Sequence, residues 1–379
     1  MFVLDSHCDT PSQILRLRNL SIDNDHAHVD FPKLLRGGVD GAFFALYIPA
    51  RLDSDPDKGF EYAKRLLSGV KEVVMQNSDQ VAFASSPSEA LDNEAASRFS
   101  VFLGLENASP IGCDISRVKY FYDRGVRYIT LCHSSNNDIC DSCASDTKRW
   151  GGLSPFGKVL IGEMNRLGIL VDVSHVSDDT FYDVLKYSSK PVVATHSCCR
   201  ALASHPRNLS DEMIVALASS GGVVQINFYP LFLDDDFASV LHASGIVERG
   251  EAVEAEFIAD PSDPDKRRKW NAVQDELNAL PRPSYKRIVD HIDHVVSLVG
   301  TDHVGLGSDF DGIEVTPDGL EDISMMPKIF DEMKIRGYTD EDIEKIAGLI
   351  SSESCLHDLV LLMHHDDGYS RHYQCYAYY

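Results

Sequence analysis

The 379-residue sequence predicts an α/β fold, a (β/α)8 barrel of the TIM type with a long insertion after strand 7. Three observations predict it. Eight apolar runs rich in β-branched or aromatic residues recur along the chain. Most are followed by an amphipathic stretch of helical period. The polar residues that stand out gather at the downstream ends of the runs, which in a barrel converge on one mouth.

The runs are residues 2–7, 39–48, 100–106, 127–133, 169–175, 192–196, 223–229 and 303–309. Apolar on both faces, they read as buried parallel strands. The first leads into Asp5-Ser6-His7-Cys8-Asp9-Thr10. Residues at i and i+2 of a strand share a face, so His7 and Asp9 can approach one cation together. After the second run, residues 60–74 carry apolar positions at Ala63, Leu66, Leu67 and Val70. Residues 154–167 open with Ser154-Pro155, a cap followed by a good first-turn residue. Residues 178–187, 210–219, 284–299 and 320–336 follow the same plan, and Ser210-Asp211-Glu212 puts acids at a helix N-terminus. An open doubly wound sheet is the competing architecture, but no Gly-rich phosphate loop follows the first strand.

Residues 1–348 read as one barrel. Within it, residues 230–283 form a charged insertion, either a lid or contact surface over the mouth or a solvated helical excursion. Residues 349–379 lose the apolar period, contain His364-His365 and end in a run rich in Tyr and His. They read as an altered, disordered terminus, with adventitious metal binding as the other reading of the histidines.

A net charge of −24 and a pI near 4.9 work against a nucleic-acid partner. No stretch reaches the roughly 18 apolar residues of a membrane helix, and no leader-like segment opens the chain. The expectation is a soluble, cytoplasmic protein, or a periplasmic one if a leader has been removed. Nine cysteines, an odd number without a regular framework, suit a reducing compartment. Cys140 and Cys143 read as loop thiols, with a disulfide between them in an oxidising environment.

Imidazoles and carboxylates without a thiolate cluster favour zinc or another divalent first-row metal. Glu106 closes Val101-Phe102-Leu103-Gly104-Leu105-Glu106, where a carboxylate is expensive unless paired or bound to metal. His175 and His196 close consecutive runs at the same end. Two clusters suggest two metals, His7 with Asp9 and His175 with His196, with Glu106 bridging them and a hydroxide held between. Asp309 is the candidate acid/base, with Asp311 the weaker alternative, and either is also read as a turn acid before Gly312. His133 could donate to a developing oxyanion or order the Ser134–Asp138 loop. Arg207 offers a fork for a substrate carboxylate, although loop arginines are mostly solvated.

Seven stretches spanning Asp5 to Gly312 in order carry a resemblance: D-S-H-C-D-T, G-L-E-N, L-C-H-S-S-N-N, V-D-V-S-H-V-S, A-T-H-S with P-R-N, Q-I-N-F-Y, and G-L-G-S-D-F-D-G. Together the sequence resembles the membrane (renal) dipeptidase family of zinc peptidases among the amidohydrolase-like barrels. The resemblance implies two Zn2+ per chain, with His7 and Asp9 on one ion, His175 and His196 on the other, and Glu106 bridging. It further implies substrate contacts from His133, Arg207 and Tyr229, and Asp309 as acid/base. It implies hydrolysis of L,L and L,D dipeptides, with β-lactam opening in some members, and is in keeping with a homodimer. A deacylase or deaminase on the same barrel, or a non-catalytic peptide-binding barrel, are the other readings. Residues 346–352 begin the family's C-terminal pattern and then leave it.

Overall fold

Strands form where the apolar runs leave both faces to be buried. Residues 1–348 are described by a computed structural model; the expectation for residues 349–379 lies outside the described residues. The strands are β1 (Leu4–Cys8), β2 (Gly41–Tyr47), β3 (Val81–Phe83), β4 (Phe99–Glu106), β5 (Val126–Thr130), β6 (Leu170–Asp172), β7 (Val192–Ala194), β8 (Val223–Ile226) and β9 (Val304–Leu306). All pairings are parallel, in the order β1-β2-β4-β5-β6-β7-β8-β9.

Closure runs between β1 and the segment after β9. Asp309 N–H donates to His7 O at 2.9 Å, and Asp9 N–H to Phe310 O at 2.8 Å. The buried Asp5 carboxylate reinforces the seam by accepting from the backbone N–H (2.8 Å) and the hydroxyl of Ser308. Eight strands therefore make the expected barrel. The ninth, β3, pairs only with residues 99–101 of β4, whose later residues pair with β5. It escapes a sequence reading because it has no two-sided burial: Val81 is buried and Phe83 exposed.

The helices between strands follow their caps. Among them are α1 (Thr10–Leu15), α2 (Phe31–Gly37), α3 (Pro56–Gln76), α4 (Pro87–Ala95), α5 (Ser116–Tyr122), α6 (Pro155–Leu167), α7 (Asp178–Tyr187) and α8 (Asp211–Ser219). Ser154, Ser177 and Ser210 each cap the helix that follows by accepting from its third backbone N–H. α3 buries Ala63, Leu66, Leu67, Val70 and Val74; each large side chain contributes roughly 1.5–3 kcal/mol.

The insertion after the seventh barrel strand is helical: α9 (Pro230–Leu233), α10 (Asp235–Ser244), α11 (Ile246–Ala259) and α12 (Pro264–Asn278). Phe237, Ile246, Val273 and Leu277 give it a small core that also takes in Val315. α13 (Lys286–Val299), α14 (Pro327–Ile335) and α15 (Asp340–Ala347) complete the described chain. Among the described residues no helix is long and apolar enough to cross a membrane.

Candidate metal centre

Strand ends bring the predicted residues together. His7 lies within β1 and Glu106 ends β4, while His133, His175, His196 and Asp309 lie two or three positions past β5, β6, β7 and β9. Glu106 is the hub. Its Oε1 is 3.2 Å from His175 Nε2, 3.4 Å from His196 Nε2 and 3.9 Å from His133 Nε2. Its Oε2 is 3.4 Å from His7 Nε2. On that side Asp9 Oδ2 lies 3.4 Å, and Asp309 Oδ1 4.0 Å, from His7 Nε2.

Two of these residues hold backbone conformations that side chains resist. His175 has φ 70° and Asp309 φ 62°, both left-handed. Such strain costs about 1–3 kcal/mol and persists only where the surroundings over-determine it. For His175 they do, since its carbonyl accepts from Cys143 N–H (2.9 Å) and Ser142 Oγ (3.3 Å). The loop that carries His133 thus also anchors His175, and its Cys140 and Cys143 are free thiols. Gly312 serves the Asp309 turn: a Cβ there would stand 2.2 Å from Asp9 Oδ2 and 2.6 Å from Asp309 Oδ1.

The electrostatics divide the site. Burial holds His175 and His196 well below the ordinary imidazole range and brings His133 to about 3; the charge of Arg207 adds to it at His175 and His133, and that of His7, then Arg207, at His196. These rings are neutral and offer nitrogen lone pairs. Burial alone would push His7 down as well, but Glu106 and Asp9 outweigh it and lift His7 well above its usual range. Asp9 and Asp309 are raised by burial, with the neighbouring carboxylates adding to it. The pocket therefore favours positive charge among its acids.

The donor set fits a divalent ion. His7 Nε2 and Asp9 Oδ1 are buried without a hydrogen-bond partner. Two ligands on one tetrahedral zinc lie roughly 3.3 Å apart, given metal–ligand distances of about 2.0–2.1 Å. The separations of 3.2–3.4 Å from Glu106 to His7, His175 and His196, and from His7 to Asp9, match that value, while Nε2 of His175 and of His196 stand closer, at 2.9 Å. His7 with Glu106 and His196, Glu106 with His133 and His175, and His7 with Asp9 and Asp309 each bring three ligand atoms within 4.8 Å of one another.

Asp309 and Asp311 differ sharply. Asp309 uses Oδ2 to accept from Asn227 Nδ2 at 2.9 Å and turns Oδ1 toward His7. Asp311 is fully engaged by Thr10 Oγ1, Arg18 and the backbone of His28. Although burial opposes it, Arg18 holds Asp311 below the usual carboxylate range.

A cavity of about 620 Å³ opens over the centre, lined by Asp9, Glu106, His133, His175 and Asp309 and walled by α11 and α12 through Phe257, Ile258, Trp270 and Gln274. Arg207 and Tyr229 do not line it. Arg207 is 5% exposed and gives Nη1 to Ser197 Oγ and Nη2 to His196 O, both at 2.6 Å, while its buried Nε has no partner. Tyr229 is half-buried and edge-on to Phe232, and burial, with the Glu314 carboxylate adding to it, raises its phenol well above the usual range.

Several residues escaped the sequence reading. Tyr47 lines the cavity and packs edge-on against His133, ring centroids 4.8 Å apart. Tyr128 OH lies 2.8 Å from His7 Nδ1, and Thr195 Oγ1 2.8 Å from His196 Nδ1. The one available signal for Tyr128 is Gly104 in the neighbouring strand, where a Cβ would come within 2.1 Å of the tyrosine ring.

Residues 1–349 match the family described as membrane dipeptidase, peptidase family M19. Dipeptidase verJ of Clonostachys rogersoniana is 32% identical over 349 residues, covering 89% of this chain and 77% of that protein. Dipeptidase aclJ of Aspergillus oryzae is 31% identical, covering 89% and 71%. The crystal structure of the probable dipeptidase PvdM from Pseudomonas aeruginosa superposes with a TM-score of 0.78 at 27% identity, over 96% of this chain and 94% of that one. A Rhodobacter sphaeroides metallopeptidase, liganded with a phosphinate mimic of the dipeptide L-Ala-D-Ala, shares the fold with a TM-score of 0.74 at 24% identity, over 94% and 99%.

Proposed function

The chain belongs to the membrane dipeptidase family, peptidase family M19, and is a metal-dependent dipeptidase; we propose that its cofactor is two Zn2+ bridged by Glu106. One observation carries this reading: the two carboxylate oxygens of Glu106 face different groups, Oε1 toward His175 and His196 and Oε2 toward His7. His7 and Asp9 would complete one ion's set, and His175 and His196 the other's. When bound, such a pair supplies an activated water and a polarised scissile carbonyl.

The chain's own residues do the rest. Asp309 takes the proton of the attacking water on Oδ1 and delivers it to the departing amine, while Asn227 orients it through Oδ2. His133, neutral and beside Glu106, donates to the oxygen on which charge develops. Arg207 and Tyr229 hold the substrate's terminal carboxylate. Nε of Arg207 has no partner but is buried outside the cavity, so the side chain must turn toward the substrate, and a bidentate grip also requires release of Ser197 or of the His196 carbonyl. The insertion acts as a lid, a role supported by the walls that α11 and α12 give the cavity. An odd complement of nine cysteines suits a reducing compartment, and a homodimer is in keeping with the family.

Elemental analysis paired with an L,L and L,D dipeptide panel tests the reading. About two zinc ions per chain with dipeptide cleavage is the expected result. One ion at full activity would remove the bridge. Two ions without cleavage would move the enzyme to a deacylase or deaminase.

A further inference from the structure

Beside the proposed centre, a chain of hydrogen bonds leads from a buried carboxylate to the ring of His196. Asp172, at the end of β6, is fully buried and receives four donors. Its Oδ1 accepts from the backbone N–H groups of Ser174 (2.9 Å) and Thr195 (3.0 Å). Its Oδ2 accepts from the hydroxyls of Thr130 (2.6 Å) and Thr195 (2.7 Å). An ionised carboxylate, acceptor-only on both oxygens, takes such a set.

Thr195 has one hydroxyl proton, and it is directed to Asp172. The other contact of that hydroxyl, 2.8 Å to His196 Nδ1, must then be one in which the oxygen accepts and Nδ1–H donates. In a neutral imidazole with Nδ1 protonated, Nε2 carries the lone pair. Nε2 is the atom that faces Glu106 Oε1 at 3.4 Å.

We propose that Asp172 and Thr195 are positioning residues that lock His196 as its Nδ1–H tautomer, presenting Nε2 as a ready donor to one of the two metal ions. The inference rests on the two-metal reading above. The lock is one-sided. His7 Nδ1 faces Tyr128 OH at 2.8 Å, and among the described residues that hydroxyl has no second hydrogen-bond partner to set its direction. Three strands contribute to the His196 lock, through Thr130 on β5, Asp172 on β6 and Thr195 directly after β7. The tautomer is therefore set by the barrel itself rather than by a mobile loop.

Two measurements test it. Nitrogen-15 NMR of histidine-labelled, metal-free protein, with His196 assigned by a His196→Asn variant, reads the tautomer directly. The Nδ1–H form is expected, and the Nε2–H form would overturn the proposal without any variant having to fold. Zinc affinity by chelator competition is then compared in wild type, Thr195→Val and Thr195→Ser. Valine keeps the shape without the hydroxyl, so one ion should bind about 10–100-fold more weakly while the other stays within about threefold. Serine should restore the affinity. Valine binding both ions as tightly as wild type would overturn the lock. Wild type that takes up fewer than two ions would overturn the two-metal reading instead, and the tautomer in the metal-free protein would still decide the lock.

Discussion

Nε2 of His175 and Nε2 of His196 lie 2.9 Å apart, and both face Oε1 of Glu106. The two rings come from different strand ends, and burial keeps both neutral. Two imidazole lone pairs and one carboxylate oxygen aimed at a common point suit zinc. His196→Ala should fold and retain one zinc fewer per chain, and lose at least ~100-fold in kcat/KM, about 2.7 kcal/mol of transition-state stabilisation. Wild-type zinc content in the variant, read by elemental analysis, would remove His196 from the ligand set.

Asp309 and Asp311 are two residues apart yet should respond in opposite ways. Asp309→Asn keeps a side chain that can face Asn227 but cannot shuttle a proton. It should hold its metal and lose roughly 10²–10⁴-fold in kcat. Asp311→Asn breaks the contacts to Arg18 and Thr10 that tie the turn to the N-terminal segment. It should lower the unfolding midpoint while turnover per folded molecule stays within a few-fold of wild type. Steady-state kinetics with urea titrations on both variants separate the roles, and a normal kcat in Asp309→Asn would disprove the acid/base assignment.

Much of the barrel and of the proposed ligand ring is legible in the sequence because the information is local. A run apolar on both faces marks a buried strand, and a histidine or acid at its downstream end marks the mouth. The supporting residues are not local. Tyr128 and Thr130 read as ordinary inward strand residues, and Asp172 as a lone acid inside Leu170-Val171-Asp172-Val173. Their partners are set by strand register, in which Asp172 pairs with Val193 and so comes level with the turn that carries Thr195 and His196. Arg207 shows the same limit: its fork is recognisable, but its two Nη atoms are held by Ser197 and the carbonyl of His196.

Gly104 offers a test of that hidden support. A Cβ at this position would stand 2.1–2.6 Å from ring atoms of Tyr128, too close for any side chain. The tyrosine is fully buried against Phe43 and contacts His7 Nδ1. Gly104→Ala must therefore displace the ring or the strand. Overpacking of this kind costs about 1–3 kcal/mol, and the displaced hydroxyl should weaken zinc binding on the His7 side. Urea unfolding and zinc content measure the two effects. An unchanged midpoint would mean that the ring has room the geometry denies it.

Away from the metal centre, His291 gives the fold a pH dependence whose sign can be worked out. It is fully buried on α13, accepts from Cys199 N–H on Nδ1 at 3.0 Å and donates from Nε2 to Leu233 O at 3.1 Å. One ring thus ties α13 to the turn after β7 and to the start of the insertion. Nδ1 has no room for a proton while it faces an N–H, and burial brings the pKa down to about 4. The unfolded chain titrates near 6.5, so below that pH the unfolded state binds the extra proton first. The stabilisation is therefore fully present above about pH 6.5 and is lost as pH falls toward 4, on the order of 3 kcal/mol over the window. His291→Leu should be less stable than wild type at pH 7, because Cys199 N–H and Leu233 O lose their partner, and should show a shallower decline between pH 7 and 4.5. Urea midpoints at stepped pH for both proteins provide the comparison. Parallel pH profiles would show that His291 titrates in the folded state as it does in the unfolded chain.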